Sequence, residues 1–123
     1  MEVANTTEKF LKAFKDFDWE TFRNYFDDEA SIFFPAQFRT RKLGRKEIEA
    51  AWKEIFPEFI DPSKKFDLKL NPQSLLIQMH GKLAIVTFHM GENSDYLSRR
   101  TIVLKKEKGV WKIVHLHASG LKE

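Results

Sequence analysis

Apolar residues recur first at helical spacing and later at alternate positions. Phe10, Leu11 and Phe14 fall on one helical face, and Asn5 followed by Glu8 has the form of a capping box, which satisfies free backbone N–H groups at a helix start. Asp18 suits the N-cap of a second helix, with Trp19, Phe22 and Phe26 at spacings of three and four. A short strand is predicted from Ser31 to Phe34, ended by Pro35, and the stretch to Leu43 reads as loop. Gly44 precedes a third helix with Ile48, Ala51, Trp52, Ile55 and Phe56 on one face. Pro57 stops it, because proline has no N–H and disfavours helix in the residue before it.

From Lys65 the period becomes two. Phe66, Leu68 and Leu70 alternate with charged residues, and Asn71-Pro72 interrupts this predicted strand, as at a bulge or sheet edge. It resumes to Met79, turns at His80-Gly81 and runs back from Lys82 to Met90. A loop is expected from Gly91 to Tyr96, a strand from Ser98 to Lys106, a three-residue turn at Glu107-Lys108-Gly109, and a last strand from Val110 to Ser119. The order is α+β, with three N-terminal helices packed on one face of a curved, mostly antiparallel sheet.

The last hairpin has two apolar faces. Pairing Lys106 with Val110 puts Arg100, Ile102, Leu104, Val114, Leu116 and Ala118 on one face. Arg99, Thr101, Val103, Trp111, Ile113, His115, His117 and Ser119 take the other. Helices cover only one face, and an apolar sheet left in water invites association, so the second face is expected to meet another copy of the chain in a homodimer. A slip of one residue at the turn would exchange the faces of one strand.

Composition narrows the options further. The 123 residues suit one domain over 1–123 and bury roughly two-thirds of their unfolded surface. Without cysteine there is no disulfide scaffold, thiolate metal site or cysteine nucleophile. No apolar run approaches the roughly 18 residues that span a bilayer, so the cytoplasm is the expected compartment and no membrane partner is expected. Residues 1–40 carry five basic and eight acidic side chains and the remainder sixteen and ten, so the overall +3 is weighted to the second half. The densest basic cluster, Arg39 to Lys46, has no interleaved aromatic and no recognition-helix pattern, so nucleic acid is not an expected partner. The aromatic fraction of 14% stands out. Trp19, Phe22, Phe26, Phe34, Trp52, Phe56 and Phe88 either wall a cavity between helices and sheet or fill that space themselves.

Arg100-Thr-Ile-Val and the stretch from Gly109 to Gly120, with its Trp-x-x-Val-His-x-His-x-Ser string, resemble the closing hairpin of SnoaL-like proteins of the nuclear transport factor 2-like superfamily. The similarity is strongest to the association domain of calcium/calmodulin-dependent protein kinase II. Leu70-Asn71-Pro72, Gly81 and the Phe34-Pro35 corner also match. The resemblance implies a cone-shaped cystatin-like fold, a homodimer or larger ring, and one deep pocket per subunit. The kinase domain's pocket arginines align with Met90, Ile102 and Ala118, and an acidic pocket position aligns with Phe34. The implied pocket is therefore more apolar, with Arg100 supplying its one charge. Trp19, Phe22, Phe34, Trp52, Phe56, Phe88, Met90, Ile102, Leu116 and Ala118 are its expected walls. Its occupant would be a small hydrophobic or anionic molecule, with no cofactor.

Two sharper chemistries are weighed against this. His115 and His117 point to the same side of a strand, a spacing that suits a metal, but no third ligand is evident and Arg99 lies beside them. Hydrogen bonding to Thr101 or a backbone carbonyl within a dimer face is the expectation, with no metal. An isomerase- or cyclase-like enzyme, as in ketosteroid isomerases of similar fold, needs a carboxylate or His in the apolar pocket and an acid donor. Asp16, Asp18, Asp27 and Asp28 read as residues at helix ends, and neither Tyr25 nor Tyr96 is fixed inside the cone. A small-molecule binder, such an enzyme and an assembly module all remain open.

Overall fold

The computed structural model describes residues 1–91 and 96–122. Helix α1 (Glu2–Lys15) starts before the predicted capping box, so Asn5 lies inside it. It buries Val3, Thr7, Phe10, Ala13 and Phe14. At its end the N–H groups of Phe17 and Asp18 bond to the carbonyls of Phe14 and Ala13 at 3.0 and 2.9 Å. Phe17 therefore adopts φ 51, a left-handed conformation usually left to glycine. Its ring is buried against Phe59 at 5.3 Å, and that burial offsets the backbone cost of about 1–2 kcal/mol. Asp18 then caps α2 (Trp19–Arg23), accepting from the Thr21 N–H at 3.4 Å. Gly44, at φ 84, precedes α3 (Arg45–Ile55), and Pro57 ends that helix and opens a 3-10 turn over Pro57–Phe59.

The strands are β1 (Phe26–Phe33), β2 (Lys42–Leu43), β3 (Gln73–His80), β4 (Leu83–Met90), β5 (Tyr96–Glu107) and β6 (Val110–Lys122). They form one sheet in the order β2-β1-β6-β5-β4-β3. Only β1 and β6 run parallel; the other pairs are antiparallel. The chain is thus α+β, with its helices on one face of a mixed curved sheet.

Several predicted boundaries move. Strand β1 begins five residues early, through the acidic run Asp27-Asp28-Glu29. Those side chains tolerate a strand because they stand beside Lys105 near the tip of the β5–β6 hairpin. Asp27 and Asp28 are therefore strand residues, not helix ends. The alternation over Phe66, Leu68 and Leu70 is real but makes no ladder. Leu68 and Leu70 pack against the core, and Phe66, 53% exposed, leans on Phe17. The interruption at Pro72 is followed by an edge strand with a bulge, Ser74 at φ 54. The β3–β4 turn is Gly81-Lys82, with His80 paired to Leu83. The loop expected over 91–96 lies mostly outside the described residues.

The last hairpin carries the main correction. Glu107 pairs with Val110, so the turn has two residues, Lys108 and Gly109, both at positive φ as this tight turn requires. That is the one-residue slip that exchanges faces. A bulge at Val114 then reverses it, since Leu104 faces Ile113 but Val103 faces His115. Between turn and bulge, Trp111 and Ile113 join Leu104 in the core, 7% and 1% exposed. They leave the expected dimer face. Beyond the bulge, Arg100, Ile102, Leu116 and Ala118 point to the helices, and Arg99, Thr101, Val103, His115, His117 and Ser119 to the open side.

Candidate functional site

The space between helices and sheet is mostly filled by aromatics. Phe22, with no exposed surface, sits at the centre, 5.1 Å from Phe10, 5.0 Å from Trp52 and 4.7 Å from Phe59 between ring centroids. Phe34 packs on Phe38 and Trp52, Phe56 on Phe14 and Trp52, and Trp19 on Phe59. Phe22, Phe34, Phe56 and Trp19, expected as pocket walls, are thus packing residues, and Ala118 lies flush in the sheet opposite Arg100. Aromatic rings meeting edge to face, tilted or stacked at these distances leave little free volume.

A small cavity remains under α1. Trp52, Phe88, Met90, Arg100, Ile102 and Leu116 line it, all predicted, together with Phe10, Leu11, Phe14 and Leu70, which sequence reasoning placed elsewhere. Phe10, Leu11 and Phe14 were legible as a buried helix face but not as a cavity roof. Leu70 was hidden by being read as a strand residue. The cavity holds about 20 Å³, room for about one water. Its lining contains no carboxylate and no histidine among the described residues.

Two donors in that lining have no partner. The Nε of Arg100 and the Nε1 of Trp52 are buried and make no hydrogen bond among the described residues. Among the described residues no carboxylate pairs with Arg100. Burial pulls the guanidinium below its ordinary pKa, and Tyr96 pulls it back. Tyr96 lies over β6 because Gly120 has no side chain: a Cβ there would run into the Tyr96 ring. Arg100, a cation, and Trp52, whose N–H is unmet, both line this apolar cavity, so an acceptor that enters it, above all an anion, meets an unsatisfied demand.

Outside the cavity runs an open groove of about 590 Å³ between α1 and residues 70–75. Leu11 and Leu70 line both spaces. The candidate acids and bases lie elsewhere. Asp16 is paired with Lys12 at 2.6 Å, Asp18 caps α2, and Tyr25 packs on Phe10 with its phenol pushed up by burial and by Asp18.

The open sheet face is the second feature. Phe33, Leu76 and Leu83 lie on it 37%, 52% and 44% exposed, around half-buried Ile85, Thr101 and Val103. His115 Nδ1 bonds to Ser31 Oγ at 2.8 Å, a partner on β1 in place of the expected Thr101. Burial lowers the His115 pKa, reinforced by the charges of His117 and Arg41 and opposed by the Ser31 bond. His117 rests on the Phe33 ring, 5.2 Å between centroids. His89 shares this face opposite Arg99.

The sequence profile of the SnoaL-like domain matches residues 3–122. The chain belongs to the SnoaL-like family. No curated protein matches its sequence. Among solved structures, this SnoaL-like chain is similar to an NTF2-like protein of unknown function from Pseudomonas putida, with TM-score 0.80 and 18% identity over 96% of this chain and 83% of that one. It is similar to the S. rosetta CaMKII hub, with TM-score 0.74 and 25% identity over 98% and 95% of the two chains. A cystatin-like fold protein from Burkholderia xenovorans superposes with TM-score 0.76 at 18% identity over 99% and 91%. The described residues contain no helix long and apolar enough to cross a membrane.

Proposed function

We propose that this chain forms a cytoplasmic homodimer whose subunits each bind a small, mostly apolar molecule bearing a carboxylate. One observation carries the ligand reading: the two side chains Arg100 and Trp52 line one apolar cavity, and each has a buried donor, Nε and Nε1, without a partner among the described residues. Orphaned buried donors cost stability and are rare in native proteins, so an acceptor that arrives with the ligand accounts for both. The cavity as it stands is smaller than any carboxylate, so binding displaces part of its wall. The dimer reading is supported by the apolar residues on the open face, Phe33, Leu76, Leu83, Ile85 and Val103, and by the likeness to a kinase hub.

Calorimetric titration with sodium butanoate tests the ligand reading. Binding that disappears in Arg100→Met supports it. Binding unaffected by Arg100→Met, or no binding of any carboxylate, overturns it. A second reading, an assembly module, is favoured by the open face alone. It predicts a dimer by ultracentrifugation that binds no carboxylate.

A further inference from the structure

The wall that separates the cavity from the groove is thin. It consists of Leu11, on α1, and Leu70, both half-buried and both touching the two spaces. Leu70 lies in residues 65–72, which form no strand; their local backbone bonds run from the Lys65 N–H to Pro62 and from the Leu68 N–H to Phe66. A segment held by side-chain packing opens at lower cost than a paired strand. Parting these two leucines joins the cavity to the groove.

The joined space has a cationic inner end. Inside are Arg100 and Trp52; outside, the apolar part of the groove is Leu11, Leu70, Pro72 and Leu75. The rim carries Lys12 and Lys15 beside Glu8 and Asp16, with Lys12 paired to Asp16 at 2.6 Å, whereas Arg100 inside has no carboxylate partner among the described residues. Groove residues on α1 extend from Ala4 to Lys15, about 16 Å along the axis at about 1.5 Å per residue.

Deepening the ligand reading above, on which it rests, we propose that the ligand is a linear monocarboxylate with a medium-length alkyl tail. Its carboxylate takes the Arg100 and Trp52 donors, and its tail passes between Leu11 and Leu70 to lie in the groove along α1. The leucines close over the empty site and part around the chain.

The test compares butanoate, hexanoate and octanoate, with octan-1-ol as the neutral control, on the intact protein by calorimetry. Burial of each methylene is expected to tighten binding about two- to fourfold, the upper value being full transfer from water. Octanol should bind far more weakly than octanoate, and Arg100→Met should bind none of the three acids. Leu75→Glu, at an exposed groove position, should weaken octanoate at least tenfold and leave butanoate unchanged. Because Leu75 is on the surface, its unaltered melting temperature checks that the fold is intact. Equal affinity for butanoate and octanoate, both lost in Arg100→Met, overturns the tail site and leaves the Arg100 reading standing. Octanoate binding that survives Arg100→Met overturns the proposed orientation. Failure of every acid to bind removes both readings.

Discussion

Replacing Arg100 with methionine separates a functional residue from a structural one. If the guanidinium sat in a satisfied network, its loss would destabilise the fold by about 3–5 kcal/mol, as for one partner of a buried pair. Here Nε is buried without a partner and the walls are Phe88, Met90, Ile102 and Leu116. Methionine reaches into the same space, and removes a partly desolvated charge and an orphan donor. Because part of the side chain remains within reach of solvent, the gain is put at about 1–2 kcal/mol, below the full cost of a buried charge. With about 2.1 cal/mol/K of unfolding entropy per residue, 123 residues give about 260 cal/mol/K, so 1–2 kcal/mol raises Tm by about 4–8 °C. The assay is calorimetric unfolding of ligand-free protein, with a urea series to show an unchanged m-value. Octanoate should then raise the melting temperature of the wild type and not of the variant. A melting temperature that falls by several degrees in Arg100→Met would refute the reasoning, since Arg100 would then be holding the fold together.

Three further outcomes follow from the packing. Phe22→Ala, at the centre of the aromatic cluster, should cost about 3–5 kcal/mol and lower Tm by about 12–20 °C, read by thermal or urea unfolding. Val103→Asp, on the open sheet face, should halve the mass seen by ultracentrifugation and leave the far-ultraviolet spectrum unchanged, whereas a charge at Trp111 or Ile113 would disrupt the core. His115 has its pKa lowered on folding, chiefly by burial, so the unfolded chain binds more protons below its ordinary value of 6.5. Stability should therefore fall as pH drops from about 7.5 to about 5.5, with a shallower slope in His115→Gln, measured by urea unfolding across that range.

The parts of the fold legible in the sequence are those where one pattern dominates locally. The aromatic and aliphatic spacing of α3, the Asp18 cap and the Pro57 stop all act within one or two turns, and all hold. Errors arose where tertiary contacts decide. Asp27, Asp28 and Glu29 do not look like strand residues until Lys105 stands beside them. Phe66 to Leu70 alternate like a strand, but no neighbouring strand pairs with them, so the periodicity records packing alone. The exchange of Trp111 and Ile113 between faces needed two compensating events, a tighter turn and a bulge at Val114, and neither has a signature that side-chain alternation can show. Half of the candidate site followed from β4–β6 alternation, which placed Phe88, Met90, Arg100, Ile102 and Leu116 together. Its roof did not, because whether Phe14 or Phe56 reaches a void depends on ring packing angles absent from a linear pattern.

The central claim is that Arg100 waits inside the cone for a carboxylate, and the guanidinium itself can report this. In a nitrogen–proton correlation spectrum, the Arg100 Nε–H resonance, assigned by its loss in Arg100→Met, should shift far downfield as butanoate is added, and its solvent exchange should slow. An Arg100 Nε–H that stays in place at saturating butanoate would contradict the account.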